Sequence, residues 1–153
     1  MDSQKSLSDL QKALADQPSK PPLHLWSPEL SGDIDIRIAA NGDWFHLGTK
    51  IERKPLVKLF STILRREDDG EYYLLTPVEK WRIRVEDTAL LIVDMDIINQ
   101  GLDDQAVVVS SNVGEKYQLG DKYGLTVETT SDSGEPNPVV SLDYGLTAKV
   151  SRA

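Results

Sequence analysis

Residues 72–87, Tyr-Tyr-Leu-Leu-Thr-Pro-Val-Glu-Lys-Trp-Arg-Ile-Arg-Val-Glu-Asp, constrain this chain more than any other stretch. Trp81, Ile83 and Val85 alternate with Arg82, Arg84 and Glu86, the period of a strand with one apolar and one charged face. A second strand-like run precedes it, and Thr76-Pro77-Val78-Glu79-Lys80 between them is a polar corner with no glycine. The pattern therefore demands a sheet with one face in a core and the other built from charge.

The same alternation recurs upstream, where Ile34, Ile36 and Ile38 interleave with Asp35, Arg37 and Ala39. Asn41-Gly42 has the residues of a two-residue type I′ turn, and Trp44-Phe45-His46-Leu47 returns as the partner strand. On that register Phe45 and Leu47 face the core, while Trp44 and His46 share the opposite face. Residues 54–67 are predicted as the main helix: Leu56, Leu59, Phe60, Ile63 and Leu64 form one stripe, with Pro55 in the first turn. Arg65 and Arg66 then occupy the last turn and Asp68-Asp69-Gly70 the stop. A shorter amphipathic helix is predicted over residues 6–15, followed by a Pro-rich linker to Pro22.

After Asp87 the pattern is β-rich to the end, with runs at residues 90–98, 106–110 and 125–129 and on either side of Tyr144-Gly145. Gly134, Pro136 and Pro138 mark a hairpin tip at residues 131–138. The expected fold class is α+β, mostly antiparallel, with three segments: 1–22 (helix and linker), 23–88 (α+β subdomain) and 89–153 (β-rich subdomain).

The formal charge of −8 argues against a nucleic-acid partner, which wants a basic footprint. That charge is uneven: residues 50–84 carry nine basic side chains against six acidic, whereas residues 85–147 carry twelve acidic against Lys116 and Lys122. Gathered cations suit an anion; paired solvated charges are the plainer reading. With no cysteine and only His24 and His46, neither a thiolate site nor a thiol nucleophile exists, and no metal or cofactor is implied. No apolar run reaches membrane-spanning length and residues 1–5 lack signal-peptide character, so no membrane partner and a cytoplasmic location are expected. Nothing in the pattern fixes an oligomeric state.

Asp94, Asp96, Asn99 and Asp103 fail the calcium-loop spacing, since Ile98 stands where an oxygen is needed. Val93, Met95 and Ile97 are expected to point inward from that strand. No phosphate loop, dinucleotide fingerprint or nucleophile elbow is present. What remains is a polar set around the central stretch. Thr76, Glu79, Lys80, Arg82, Arg84 and Glu86 lie on it, Arg53 and Lys58 are brought by the helix, and Trp44 supplies a ring for stacking. Two alternatives stand beside ligand binding: a hydrolase using Glu79 or Asp87 with His46, and a protein-interaction adaptor.

Several blocks occur in an order that resembles the bacterial family known as domain of unknown function 1285. They are Trp26-Ser27-Pro28, Gly-Asp-Ile-Asp-Ile-Arg-Ile at 32–38, Gly-Asp-Trp-Phe at 42–45, and the run at 59–70 ending Leu-Arg-Arg-Glu-Asp-Asp-Gly. Tyr-Tyr-Leu-Leu-Thr-Pro-Val-Glu-Lys at 72–80 and Val-Glu-Asp at 85–87 complete the set. The resemblance implies two similar α+β subdomains, the second loosely like a pleckstrin-homology fold, and a ligand site where they meet. It further implies a small anionic, nucleotide-like ligand, a signalling role, and a closing helix beyond the position of Ser151-Arg152-Ala153.

Overall fold

The computed structural model describes residues 6–129 and 136–151, so residues 1–5, most of the turn expected at 131–138, and residues 152–153 lie outside the described residues. The chain divides into two compact units, Met1–Asp87 and Thr88–Ala153. It is α+β and mostly antiparallel, with two short helices and twelve strands among the described residues.

In the first unit, helix α1 (Leu7–Ala13) starts at Ser6, whose hydroxyl accepts from the Asp9 N–H. Strands β1 (Leu30–Ile38), β2 (Trp44–His46) and β3 (Thr49–Lys50) precede helix α2 (Lys54–Ser61). Strands β4 (Leu64–Arg66), β5 (Tyr72–Leu75) and β6 (Lys80–Val85) follow it. The sheet order is β3-β2-β1-β6-β5-β4, with β1 and β6 parallel at its centre and every other pair antiparallel. The second unit comprises β7 (Leu90–Ile98), β8 (Ala106–Ser111), β9 (Lys116–Gln118), β10 (Leu125–Thr129), β11 (Pro136–Ser141) and β12 (Thr147–Val150). Its order, β10-β11-β12-β7-β8-β9, is the same topology: the first and last strands lie parallel in the middle, and each half runs outward by hairpins. The two units are thus similar subdomains, the first distinguished by α2 between its third and fourth strands.

Alternation decides the faces of the first sheet. Ile34, Ile36, Ile38, Trp44, Leu64, Tyr72, Leu74, Trp81 and Ile83 are buried, and Phe60 of α2 is buried completely. Gly32 sits opposite Trp81 at an irregularity in the β1–β6 ladder, with φ of +146°. A Cβ there would meet the indole at 3.4 Å, an ordinary contact, so the backbone angle and not a clash excludes other residues. Gly32→Ala is expected to destabilise the protein by about 1–3 kcal/mol, measured by chemical denaturation.

Three hairpins share one device. Ala40-Asn41-Gly42, Asp68-Asp69-Gly70 and Asn112-Val113-Gly114 are three-residue loops. Each is closed by an N–H···O bond across its ends, a second bond donated by the glycine N–H, and a glycine with φ between 82° and 93°. That is a type I turn followed by a glycine bulge. The type I′ turn expected at Asn41-Gly42 instead occurs at Leu47-Gly48, where φ is 52° and 81° and His46 pairs with Thr49.

The longer first loop moves the register by one residue, so Ile38 pairs with Trp44. This corrects the face assignment of β2: Trp44 is 1% exposed in the core, while Phe45 lies beneath the Arg37 guanidinium on the charged face. The main helix is also shorter than expected. It caps at Thr62, and Leu64-Arg65-Arg66 pair with Tyr72-Tyr73-Leu74, which makes Asp68-Asp69-Gly70 a hairpin loop.

Finally, Val93, Met95 and Ile97 do not point inward; they are 48%, 47% and 51% exposed. The cause is topological. β12 flanks β7 only at Leu90–Ile92, and beyond that β7 continues with β8 alone.

Candidate functional site

The charged face of the first sheet follows from two alternating strands laid side by side. In β1 the outward positions are Asp33, Asp35 and Arg37; in β6 they are Lys80, Arg82 and Arg84. The parallel register sets Asp33 against Arg82, and Tyr73 and Arg65 continue that row across β5 and β4. Arg82 Nε donates to Asp33 Oδ1 at 2.8 Å, and Arg84 Nη2 donates to Asp35 Oδ1 at 2.5 Å. Arg37 Nη1 donates to Glu86 Oε2 at 2.6 Å, and the other Glu86 oxygen accepts from the Ala40 N–H. That backbone bond, with Arg37 beside it, holds the Glu86 carboxyl below its usual range.

Beside this row lies a tighter network. Glu67 accepts from Arg65 at 2.5 Å through one oxygen and from Lys80 at 2.9 Å through the other. Arg65 also donates to the carbonyls of Leu23 and Trp26, tying the segment after α1 to the sheet. The Lys80 ammonium stands 4.7 Å from the centre of the Tyr73 ring, whose hydroxyl donates to Asp69. The bond to Asp69, then burial, raises the Tyr73 hydroxyl to about 12.

Arg82 and Arg84 open into a recess of about 420 Å³, lined also by Asp33, Ile34, Asp35, Glu71 and Ile83. Three carboxylates and two guanidiniums give its lining a formal charge of −1. The side chains of Arg82 and Arg84 are 40% and 67% exposed, against 18% for both Arg65 and Lys80.

Of the nine residues singled out from the sequence, Arg82 and Arg84 line this recess. Lys80 and Glu86 lie on the same strand or just beyond it, each held by a partner of opposite charge. Thr76 is fully buried in the β5–β6 turn, and its hydroxyl accepts from the N–H groups of Val78 and Glu79. Arg53 is the exposed residue that precedes α2, and Lys58 is exposed on that helix; neither lines the recess. Trp44 is in the core, so it offers no ring face to a ligand. His46 Nε2 is buried with no hydrogen-bond partner among the described residues.

The charged lining residues missed from the sequence are Asp33, Asp35 and Glu71. The alternation marked Asp35 and Arg84 as outward; the pairing that joins β1 to β6 across 49 residues left no local signal.

Among the described residues, no three His, Cys, Asp or Glu side chains group to hold a metal ion, and no helix is long and apolar enough to cross a membrane.

Comparison with known proteins gives a consistent answer. Residues 21–88 match the model for the N-terminal domain of the domain of unknown function DUF1285, and residues 89–153 match that for its C-terminal domain. A DUF1285 family protein from Silicibacter pomeroyi DSS-3 is similar at a TM-score of 0.84 and 40% identity, over 97% of this chain and 79% of that one. Another from Shewanella baltica OS155 is similar at 0.58 and 35% identity, over 76% of this chain and 84% of that one. No protein with a curated description matches. With both halves accounted for by the two family domains and a solved relative aligned over 97% of this chain, the chain belongs to the DUF1285 family.

Proposed function

We propose that the chain is a small-molecule binding module of sensor type, and that Arg82 and Arg84 take the phosphate or carboxylate of a cytoplasmic metabolite. One observation carries this reading: two guanidiniums project from alternate positions of a single strand into one recess, both substantially exposed. Guanidinium forks recognise such groups bidentately. Their present partners are surface carboxylates, and exposed ion pairs contribute only about 0–1 kcal/mol, so a ligand anion exchanges for Asp33 or Asp35 at little cost. Lys80 is different. Removing its ammonium from Glu67 would strip a charge from a less exposed network, so its role is structural. With Trp44 and Trp81 both buried, a stacked nucleobase has no indole to rest on, and the anionic group is the part recognised.

The test is a thermal-shift titration with inorganic phosphate and small phosphate monoesters. A ligand at 100 times its Kd stabilises by about 2.7 kcal/mol. Arg82→Gln combined with Arg84→Gln is expected to abolish the shift, whereas Lys80→Ala lowers the starting stability and leaves the shift in place. A full shift in the double variant ends this assignment. The adaptor reading draws on another surface, the exposed Val93, Met95 and Ile97 of β7, and predicts no phosphate-dependent shift at all.

A further inference from the structure

We infer that the recess beside Arg82 and Arg84 selects a zwitterion: a ligand whose anionic group meets the two guanidiniums and whose ammonium meets Glu71. This rests on the proposed anion site and adds the second half of the ligand. The starting point is a charge balance. Asp33, Asp35 and Glu71 outnumber Arg82 and Arg84 in the lining. Asp33 and Asp35 each have a guanidinium at hydrogen-bond distance. The Glu71 carboxylate has no hydrogen-bond or ion-pair partner among the described residues. Only its backbone is engaged: its N–H donates to Asp69 Oδ1 and its carbonyl accepts from the Glu67 N–H.

The sheet register places that carboxylate at the recess for a structural reason. Tyr72 pairs with Ile83, so Glu71 stands one position before that pair on its strand and Arg84 one position after it on the neighbouring one. Such residues are cross-strand neighbours on one face. Arg84 nevertheless donates to Asp35, on the other side of β6, and Glu71 is left over.

An anion alone fits this lining less well than an anion that carries its own cation. When a phosphate takes the guanidiniums, Asp33 and Asp35 lose their partners, and three uncompensated carboxylates then surround a bound anion. A cation carried on the same ligand removes that repulsion, and Glu71 is the carboxylate already available to receive it. Like-charge crowding therefore weakens simple anions relative to a zwitterion, and the guanidiniums weaken simple amines. The selectivity lies in having both charges on one small molecule.

Three related probes separate the contributions: O-phosphoethanolamine with both groups, ethyl phosphate without the ammonium, and ethanolamine without the phosphate. Isothermal titration of the full chain is expected to show phosphoethanolamine binding about tenfold more tightly than ethyl phosphate, the gain of one charge-assisted contact, with ethanolamine weakest. Glu71→Gln is expected to erase the difference between the two phosphates, with its circular dichroism unchanged, since that side chain holds nothing else in place. Equal affinities in the wild-type protein, or a preference that survives Glu71→Gln, overturn the zwitterion inference. In that case, ethyl phosphate binding that still depends on Arg82 and Arg84 leaves the anion site standing. Neither phosphate binding overturns both.

Discussion

Phe60→Ala is expected to lower the unfolding free energy by about 3–5 kcal/mol, the usual cost of emptying a buried aromatic site. Phe60 is fully buried, in a helix of only eight residues that has no margin of intrinsic stability. Its neighbour Leu59 is half-buried, and Leu59→Ala is expected to cost about 1 kcal/mol. The chain supplies a convenient probe, because Trp26, Trp44 and Trp81 all lie within Met1–Asp87. Tryptophan fluorescence in a urea titration therefore follows the first unit alone. A shift in midpoint at constant slope is the expected form of the result. Equal losses for the two variants would mean that α2 does not bury the face that carries Phe60.

How much of this was legible in the sequence depends on whether the signal was local. Period-2 alternation located β1 and β6, because side-chain direction in a strand is fixed by the backbone, while β-rich runs between turn residues marked β5 and most strands of the second unit. The error in β2 shows how little margin such readings have. Asn41-Gly42 looked like a two-residue turn, the loop holds three residues, and that single step exchanged Trp44 for Phe45 on the core face. The end of α2 was hidden for another reason. Ile63 and Leu64 continue a helical stripe, yet their burial is equally well satisfied when Leu64 enters β4, and pairing with Tyr72-Tyr73-Leu74 decides the matter.

The charge distribution was legible as composition and misleading as geometry. Basic residues do gather in one segment, but Asp33 and Asp35, far upstream, are brought beside Arg82 and Arg84 by a parallel pairing that no local pattern announces. The resulting face is a set of matched pairs with one carboxylate to spare. That balance separates Lys80 from Arg84, both of which the sequence offered as ligand donors. The duplication follows the same logic: two halves with almost no visible repeat share one strand order, because topology depends on which strands pair and not on which residues fill them.

The Glu67 network yields the second large effect. Glu67→Gln is expected to cost about 2–4 kcal/mol at neutral pH, because it leaves Arg65 and Lys80, both only 18% exposed, beside a neutral amide. Arg65 also holds the Leu23 and Trp26 carbonyls, so the loss extends to the anchoring of the N-terminal segment. The same substitution changes the pH response. Burial by itself raises the Glu67 carboxyl, but hydrogen bonds from Lys80 and Arg65, together with their charges, outweigh it and hold the group below its ordinary 4.5. A carboxyl depressed in the folded state binds its proton more readily when unfolded. Its contribution is therefore complete above 4.5 and is lost as pH falls from there through the folded value. Urea titrations followed by tryptophan fluorescence from pH 7 down to about pH 3 should show wild-type stability falling more steeply than that of Glu67→Gln, so that the two curves converge in acid. Parallel curves would show that this carboxylate carries no depressed pKa and that the Arg65–Glu67–Lys80 bridge contributes nothing to acid sensitivity.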